Sequence, residues 1–504
     1  MLLLALVNSP LLAQVDTAWS KLMISPLDDH CSAAIRLRNG DFLLSGKLNE
    51  EEEYQYDFFR MQLNSAGVEV SRQTTDMIDE MSGYLNQASQ EIGDGYVDYV
   101  TTSNFEAIQP TSDGGYLIPG FVNFLVYPEE GNEHMAYGPV LWKLDIDGST
   151  IWMHGYGDGS LNLVGATSIG RNFLLVGNKS GEDAVVSILK IDPWGRVVGE
   201  ESIEADNLIC RDFVTHDELS ALACTRRIQI DRRTIYQPTL LIIDAYGSLI
   251  ERFDYDVEGS VEDYKIARLA NGTYILACTV IERSEQNISR RVHLIEIDRA
   301  GMEISRRWID AQTHTTISTI VPTWRRGYAC SLQTGEPNQA GEVLNWDLYY
   351  YEADGWGDSL RAFQIRGEEE EKINAVVYNP DGSLLLAGST ESFNARQSDV
   401  WLLMVNPPEN EAKEKRETIP FDLPLAQFYP NPFNSRITID LGKNLATPVD
   451  IIVLTRTGQQ VGWINQMQSN AKVFWDAGDL PAGQYFFEIR SPGSSMVKPV
   501  TLLR

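Results

Sequence analysis

Asp113-Gly114-Gly115-Tyr116-Leu117-Ile118-Pro119-Gly120 runs on to Val140-Leu141-Trp142-Lys143-Leu144-Asp145-Ile146-Asp147-Gly148, and then to Ile151-Trp152-Met153-His154-Gly155-Tyr156-Gly157. A glycine turn opens the first apolar segment, and an acidic turn ending in glycine separates the second from the third. This first turn type recurs at Asn39-Gly40, Gly170-Arg171, His216-Asp217, Asn271-Gly272, Arg326-Gly327 and Asp381-Gly382. The acidic or amide turn recurs at Asn64 to Gly67, Asp192 to Gly195, Asp244 to Gly247, Asp298 to Gly301 and Asp354 to Gly357. Tight turns between apolar runs predict hairpins. Each copy supplies strand a before the glycine turn, b after it, c before the acidic turn and d beyond. A period of about 55 residues with four short strands is the signature of a β-propeller. One blade cannot bury both its faces, so several must close into a ring.

The predicted fold is all-β, a seven-bladed β-propeller followed by a small immunoglobulin-like β-sandwich. The seventh copy ends at Trp401-Leu402-Leu403-Met404-Val405-Asn406 without a fourth strand, whereas Thr17 to Ile24 precedes the first copy unpaired. This N-terminal segment is expected to act as strand d of the seventh blade, closing a ring over residues 17–407. Such a clasp removes an open sheet edge.

The chain has 504 residues, 43% hydrophobic, which suffices for a large core and a second domain. Acidic residues outnumber basic ones by 71 to 41, a net charge of −30 that argues against nucleic acid as a partner. Met1-Leu2-Leu3-Leu4-Ala5-Leu6-Val7 through Leu11-Leu12-Ala13 reads as the apolar core and cleavage site of a signal peptide spanning 1–13, lacking the usual basic start, which leaves room for an upstream stretch. No other run has the ~18 apolar residues of a membrane helix. Five cysteines give no complete disulfide framework. Cys224 and Cys278 fall where earlier copies carry Gly46, Gly120 and Gly177, and Cys330 lies two residues earlier in its strand. They read as small buried residues, with a bridge between neighbouring blades as the alternative.

Residues 408–422 include the charged run Glu409-Asn410-Glu411-Ala412-Lys413-Glu414-Lys415-Arg416-Glu417 and read as a linker. Beyond it, strands are predicted at residues 435–441, 449–455, 460–465, 471–476, 483–491 and 497–503, a count that fits an immunoglobulin-like sandwich over 423–504. Tyr429-Pro430-Asn431-Pro432-Phe433-Asn434, then Gly458, Trp475-Asp476, Leu480-Pro481-Ala482-Gly483-Gln484-Tyr485 and the terminal Leu502-Leu503-Arg504 resemble the C-terminal sorting domain of type IX secretion substrates. The same fold resembles the immunoglobulin-like domain of flagellar hook-capping proteins. Leu454-Thr455-Arg456-Thr457 departs from the family's usual Tyr-Asp before its glycine turn. The resemblance implies a secreted or outer-membrane-surface protein whose partner is the type IX machinery.

In a ring of this strand order, a-to-b and c-to-d turns are short and share one face, while b-to-c and d-to-a connections open on the other. The sequence predicts long b-to-c loops at residues 121–138, 225–237, 279–290 and 333–344, and an added segment at about 75–103. Long loops on a rigid scaffold are where ligands are usually held. Phe121, Phe124, Tyr127, Glu129, His134 and Tyr137, with Tyr96 and Tyr99, are the candidate ligand-binding residues, aromatic rings beside carboxylates suiting a glycan; the alternative is that they pack their own loops. Arg226, Arg227, Arg232 and Arg233 suit an anionic polymer, or simply two exposed strand extensions.

Asp145-Ile146-Asp147-Gly148 begins like a calcium loop but has Ser149 and Tyr156 at its fifth and twelfth positions. The six histidines show no zinc spacing, and no phosphate loop, nucleophile elbow or paired-cysteine motif occurs. No metal, cofactor or catalytic residue is therefore expected. The sequence supports an exported binder of a glycan or protein, with a polysaccharide hydrolase or lyase and a structural spacer as its rivals.

Overall fold

In the computed structural model the chain divides into two compact units, Met1–Pro408 and Glu409–Arg504. The structure describes residues 3–6, most of 15–407 outside 25–27, 49–56, 76–95, 128–133, 157–160, 180–184, 204–207, 231–232, 284–287, 310–313, 324–326 and 338–342, and most of 427–503 outside 441–448, 456–459 and 467–471. Among these residues the regular structure is entirely β, and no helix is long and apolar enough to cross a membrane.

The turns form as their chemistry dictates. In Asp244 to Gly247 the amide of Gly247 donates to the carbonyl of Asp244, and the Asp244 amide to Ser248. The Asp244 carboxylate accepts the amides of Tyr246 and Ser248 at 2.8 and 2.9 Å. Asn64, Asp192 and Asp298 cap their own turns in the same way. The closing glycines, 67, 148, 195, 247, 301 and 357, all have φ between 74° and 89°, which a side chain disfavours. This is a type I turn with a one-residue bulge, and the register of strands c and d shifts accordingly.

Among the described residues the first unit holds seven antiparallel sheets of four or five strands. They span residues 30–75, 96–155, 161–203, 208–254, 260–309 and 314–365. The seventh combines Glu371–Tyr378, Leu384–Thr390 and Asp399–Val405 with Thr17–Ile24 and Leu3–Leu6. Each sheet packs against the next in sequence, and the seventh packs against the first. The cores lie between sheets. Met23, Leu385 and Leu402 of the seventh, for example, join Cys31, Phe42 and Phe59 of the first, all essentially solvent-free. Each such side chain contributes roughly 1.5–3 kcal/mol on burial.

Thr17–Ile24 runs antiparallel to Asp399–Val405, with Leu22 opposite Trp401 and Ser20 opposite Leu403. This strand also performs a contact that other blades repeat. The Tyr156 hydroxyl donates to the carbonyl of Gly195 in the next sheet at 2.9 Å, and Tyr255 does the same to Gly301 at 2.9 Å. Lys21 donates to Gly67 of the first sheet in the same way. Leu3–Leu6, within the segment read as a signal peptide, pairs outside Thr17–Ile24.

Two expectations change. The connections at 121–138, 225–237 and 279–290 are largely strand: Tyr116–Tyr127 pairs with His134–Leu144, Leu219–Ile230 with Arg233–Asp244 and Tyr274–Arg283 with Ile288–Ile297, extending the b–c hairpins beyond the sheet. β-branched residues alternating with polar ones, as at Ile228, Ile230 and Ile235, satisfy a strand as readily as a loop. Part of the added segment, Tyr96–Phe105, is itself a strand paired to Tyr116–Tyr127. All five cysteines are buried and free, with burial pushing the Cys31 thiol up to about 12.

The second unit has two sheets. Gln427–Tyr429, Arg436–Asp440 and Lys472–Asp476 form one, and Gln460–Gln466, Val449–Thr455, Gly483–Ser491 and Ser494–Leu502 the other. The strand at Gln427–Tyr429 was not anticipated. Phe433, Ile437, Ile451, Val453, Trp475 and Phe487 form the core of this unit, with Trp475 edge-on to Phe487 at 5.1 Å.

Candidate functional site

In six of the seven sheets strand a carries a bulge at the same place, where the register shifts across Cys31/Ala33, Leu163/Gly165, Cys210/Asp212, Val261/Asp263, Ile317/Thr319 and Ile373/Ala375. A bulge inserts one unpaired residue and re-aims its side chain. The residues so placed are Ser32, Val164, Arg211, Glu262, Ser318 and Asn374. Four of them, Ser32, Glu262, Ser318 and Asn374, line a cavity of about 990 Å³.

The rest of the lining comes from the ends of strands a and from the b–c hairpins of the fifth, sixth and seventh sheets: His30, Lys265, Arg283, Arg290, Gln333, Trp346 and Lys372 among others. The cavity thus opens on the face carrying the b-to-c and d-to-a connections. Some of its polar groups are committed to the scaffold. Asn374 donates to the carbonyl of Cys31 in the first sheet at 2.9 Å, and Arg290 pairs with Glu262 at 2.9 Å. Ser318 Oγ is buried with no partner among the described residues. His30 is pushed down to about 4, first by burial and then by Lys47 and Lys372, with Asp28 opposing. Its imidazole is therefore neutral at pH 7.

The candidates read from sequence lie on the extended second-sheet hairpin. Tyr96 stands opposite Tyr127, Tyr99 opposite Leu125, Tyr137 opposite Asn123, Phe124 opposite Ala136 and His134 opposite Val126. Glu129 and the side chains of Phe124, Tyr127, His134, Tyr137, Tyr96 and Tyr99 lie outside the described residues. Phe121 is half-buried. Sequence reasoning missed the bulge residues, because a bulge depends on the partner strand and leaves no local mark. Elsewhere, Arg226 is tied to Asp256 at 2.6 Å on its strand extension, and Arg232 lies outside the described residues. Asp145 accepts the Ser149 amide at 2.8 Å as an ordinary turn cap. Among the described residues no group of three or more His, Cys, Asp or Glu is arranged to hold a metal.

In the second unit the Pro-Asn-Pro-Phe-Asn motif forms a clasp. The Phe433 amide donates to Thr501 at 2.9 Å, the Leu503 amide donates to Phe433 at 2.7 Å, and Asn431 Oδ1 accepts the Thr501 amide at 2.9 Å. Phe433 is buried against Trp475, whereas Tyr429, Pro430, Asn431, Pro432 and Asn434 stay exposed around it. The Tyr485 hydroxyl donates to Pro481 at 2.7 Å, holding the turn before Gly483 beside half-buried Leu480. Gly458 and Arg504 lie outside the described residues.

Residues 427–502 match the family model described as a secretion system C-terminal sorting domain. The chain therefore ends in a type IX sorting domain, which marks it for export to the cell surface or beyond and implies interaction with the type IX machinery. No curated protein matches the chain in sequence. Among solved structures it is similar to a protein of unknown function from Dyadobacter fermentans, at 8% identity and a TM-score of 0.45, over 78% of this chain and 99% of that one. It is also similar to the β-propeller domain of the Trilobed protease from Pyrococcus furiosus, at 12% identity and a TM-score of 0.41, over 75% and 93%. The α-L-arabinanase of Penicillium chrysogenum follows at 11% identity and a TM-score of 0.37, over 74% and 92%. The antiparallel sheets of the first unit, each packed on the next and the last on the first, are those of a β-propeller.

Proposed function

We propose that this is an exported, seven-bladed propeller that binds a glycan at the cavity on its loop-rich face, delivered by an immunoglobulin-like sorting domain. In this reading residues 1–13 are a signal peptide, 17–407 the propeller, 408–422 a linker and 423–504 the sorting domain. Removal of the signal leaves Thr17–Ile24 as the outer strand of the seventh blade. The observation that carries the binding role is the cavity itself: its size is that of a ligand site, and its wall combines Trp346 with polar groups from several blades. An indole face stacks on a sugar ring, and the polar side chains meet its hydroxyls. The second-sheet hairpin, with Phe121, Phe124, Tyr127, Glu129, His134, Tyr137, Tyr96 and Tyr99, extends the same face as a second contact zone.

The two carboxylates among the described lining residues, Glu262 and Asp263, are neighbours on one strand, and Glu262 is held by Arg290. Two carboxylates facing each other across a sugar, about 5–9.5 Å apart, are what glycoside hydrolysis requires. Binding of the purified full-length chain to a glycan array, with turnover measured on the oligosaccharides that bind, tests the reading. Binding without turnover is the expected result, and binding with turnover replaces it by the hydrolase or lyase. Silence in both assays leaves the ring a spacer.

A further inference from the structure

We propose that the cavity selects glycans carrying carboxylate or sulfate groups, an inference that rests on the glycan-binding role proposed above. The chain carries a net charge of −30, yet the described lining holds four cations, Lys265, Arg283, Arg290 and Lys372, against Glu262 and Asp263. Arg290 is neutralised by Glu262, and Lys265 lies within electrostatic reach of Asp212 on the neighbouring blade. Arg283 and Lys372 remain, both exposed, and neither pairs with an acid among the described residues. Leaving two cations uncompensated in a concavity of an acidic chain attracts anions.

Their placement defines the ligand further. Arg283 belongs to the fifth sheet and Lys372 to the seventh, so a chain with repeated charges has a cation to meet on each of two separate blades. From the intervening sixth sheet the lining adds Trp346, just before the strand Asp347–Ala353, and the unpartnered hydroxyl of Ser318. An aromatic platform and a hydroxyl flanked by two cations match a sugar ring between two acidic substituents. His30 reports on the same ground: burial depresses its protonation most, Lys47 and Lys372 depress it further, and Asp28 favours it. An anion neutralising Lys372 relieves that depression.

Isothermal titration of the full-length chain with an oligogalacturonate, its methyl-esterified form, a sulfated carrageenan oligomer and inorganic phosphate tests the proposal. The acid or the sulfated oligomer is expected to bind at least about tenfold more tightly than the ester, and to weaken as ionic strength rises. R283A/K372A should lose about tenfold for the charged oligomer and nothing for the ester. Histidine-selective NMR should show the His30 titration move upward from about 4 when the charged oligomer is bound. Equal binding of acid and ester overturns charge selection and leaves the glycan-binding role standing. Binding of phosphate alone, or displacement of the oligomer by an acidic peptide of equal affinity, overturns the sugar as ligand. Failure of every probe overturns both.

Discussion

The propeller and the sorting domain invert the relation between sequence signature and function. In the propeller the recognisable residues are the turn formers, repeated in blade after blade, and they make the scaffold. The cavity is lined in part by Ser32, Glu262, Ser318 and Asn374, three residue types at one structural position. In the sorting domain the recognisable residues are the ones by which the family is recognised, and Asn431 and Phe433 also tie the entry of the domain to its last strand. A ring that repeats a backbone device is free to vary what it displays.

The sharpest break between the two is genetic. Ending the chain before residue 423 should abolish surface delivery while leaving the propeller folded, as judged by protease accessibility on intact cells and by far-UV circular dichroism of the truncated protein. Surface delivery of the shortened chain would remove the sorting role from this domain. A propeller unfolded by the truncation would show that the two units are energetically one.

Glycines sharpen the contrast at the next level. Gly301 has φ of +76°, and a Cβ there would lie 2.3 Å from the ring of Phe253 on the preceding blade. Gly478 in the sorting domain has φ of +51° and would meet nothing within 4 Å. Gly301→Ala combines the cost of a left-handed residue with overpacking between blades, about 2–4 kcal/mol together, whereas Gly478→Ala costs about 1 kcal/mol. Calorimetry should show the propeller transition fall clearly in the first variant and the sorting-domain transition fall slightly in the second. If F253A fails to recover part of the Gly301→Ala loss, the blade contact is not its cause.

Much of the scaffold was legible because turn chemistry is local: a capping Asp and a glycine three residues on fix each c–d hairpin wherever it occurs. The lengths of the b–c hairpins were not, because Ile228 and Ile235 beside arginines satisfy a loop tip and a strand equally, and only their pairing decides. The cavity was illegible for a stronger reason. Its walls come from residues as distant as Ser32 and Asn374, and each is aimed by a bulge that its own sequence does not announce. The sorting domain was read from the joint order of its motifs, although the contact between Asn431 and Thr501 that gives that order its structural sense spans 70 residues.

A smaller effect separates the two units by pH. Glu371, in the seventh sheet, is solvent-free; Thr390 donates to one carboxylate oxygen at 3.1 Å, and the other has no partner among the described residues. Burial pushes its carboxyl up to about 7, with Asp347 adding to the rise and the hydroxyls of Ser392 and Thr390 opposing it. The folded value lies above the unfolded one, so the associated stability is fully present below about pH 4.5 and is lost as pH rises through 7. His30, held near 4, acts in the opposite sense: its stability is present above about pH 6.5 and is lost as pH falls through 4. Between pH 4.5 and 6.5 the two offset each other, and from pH 6.5 to 8 Glu371 acts alone. Glu371→Gln should therefore gain on the native chain by about 2 kcal/mol across pH 5 to 8, read from propeller unfolding in urea at each pH. The sorting-domain transition should not move between variant and native chain. A pH-independent difference would mean that Glu371 is ionised in the fold, and that its second oxygen has a partner beyond the described residues.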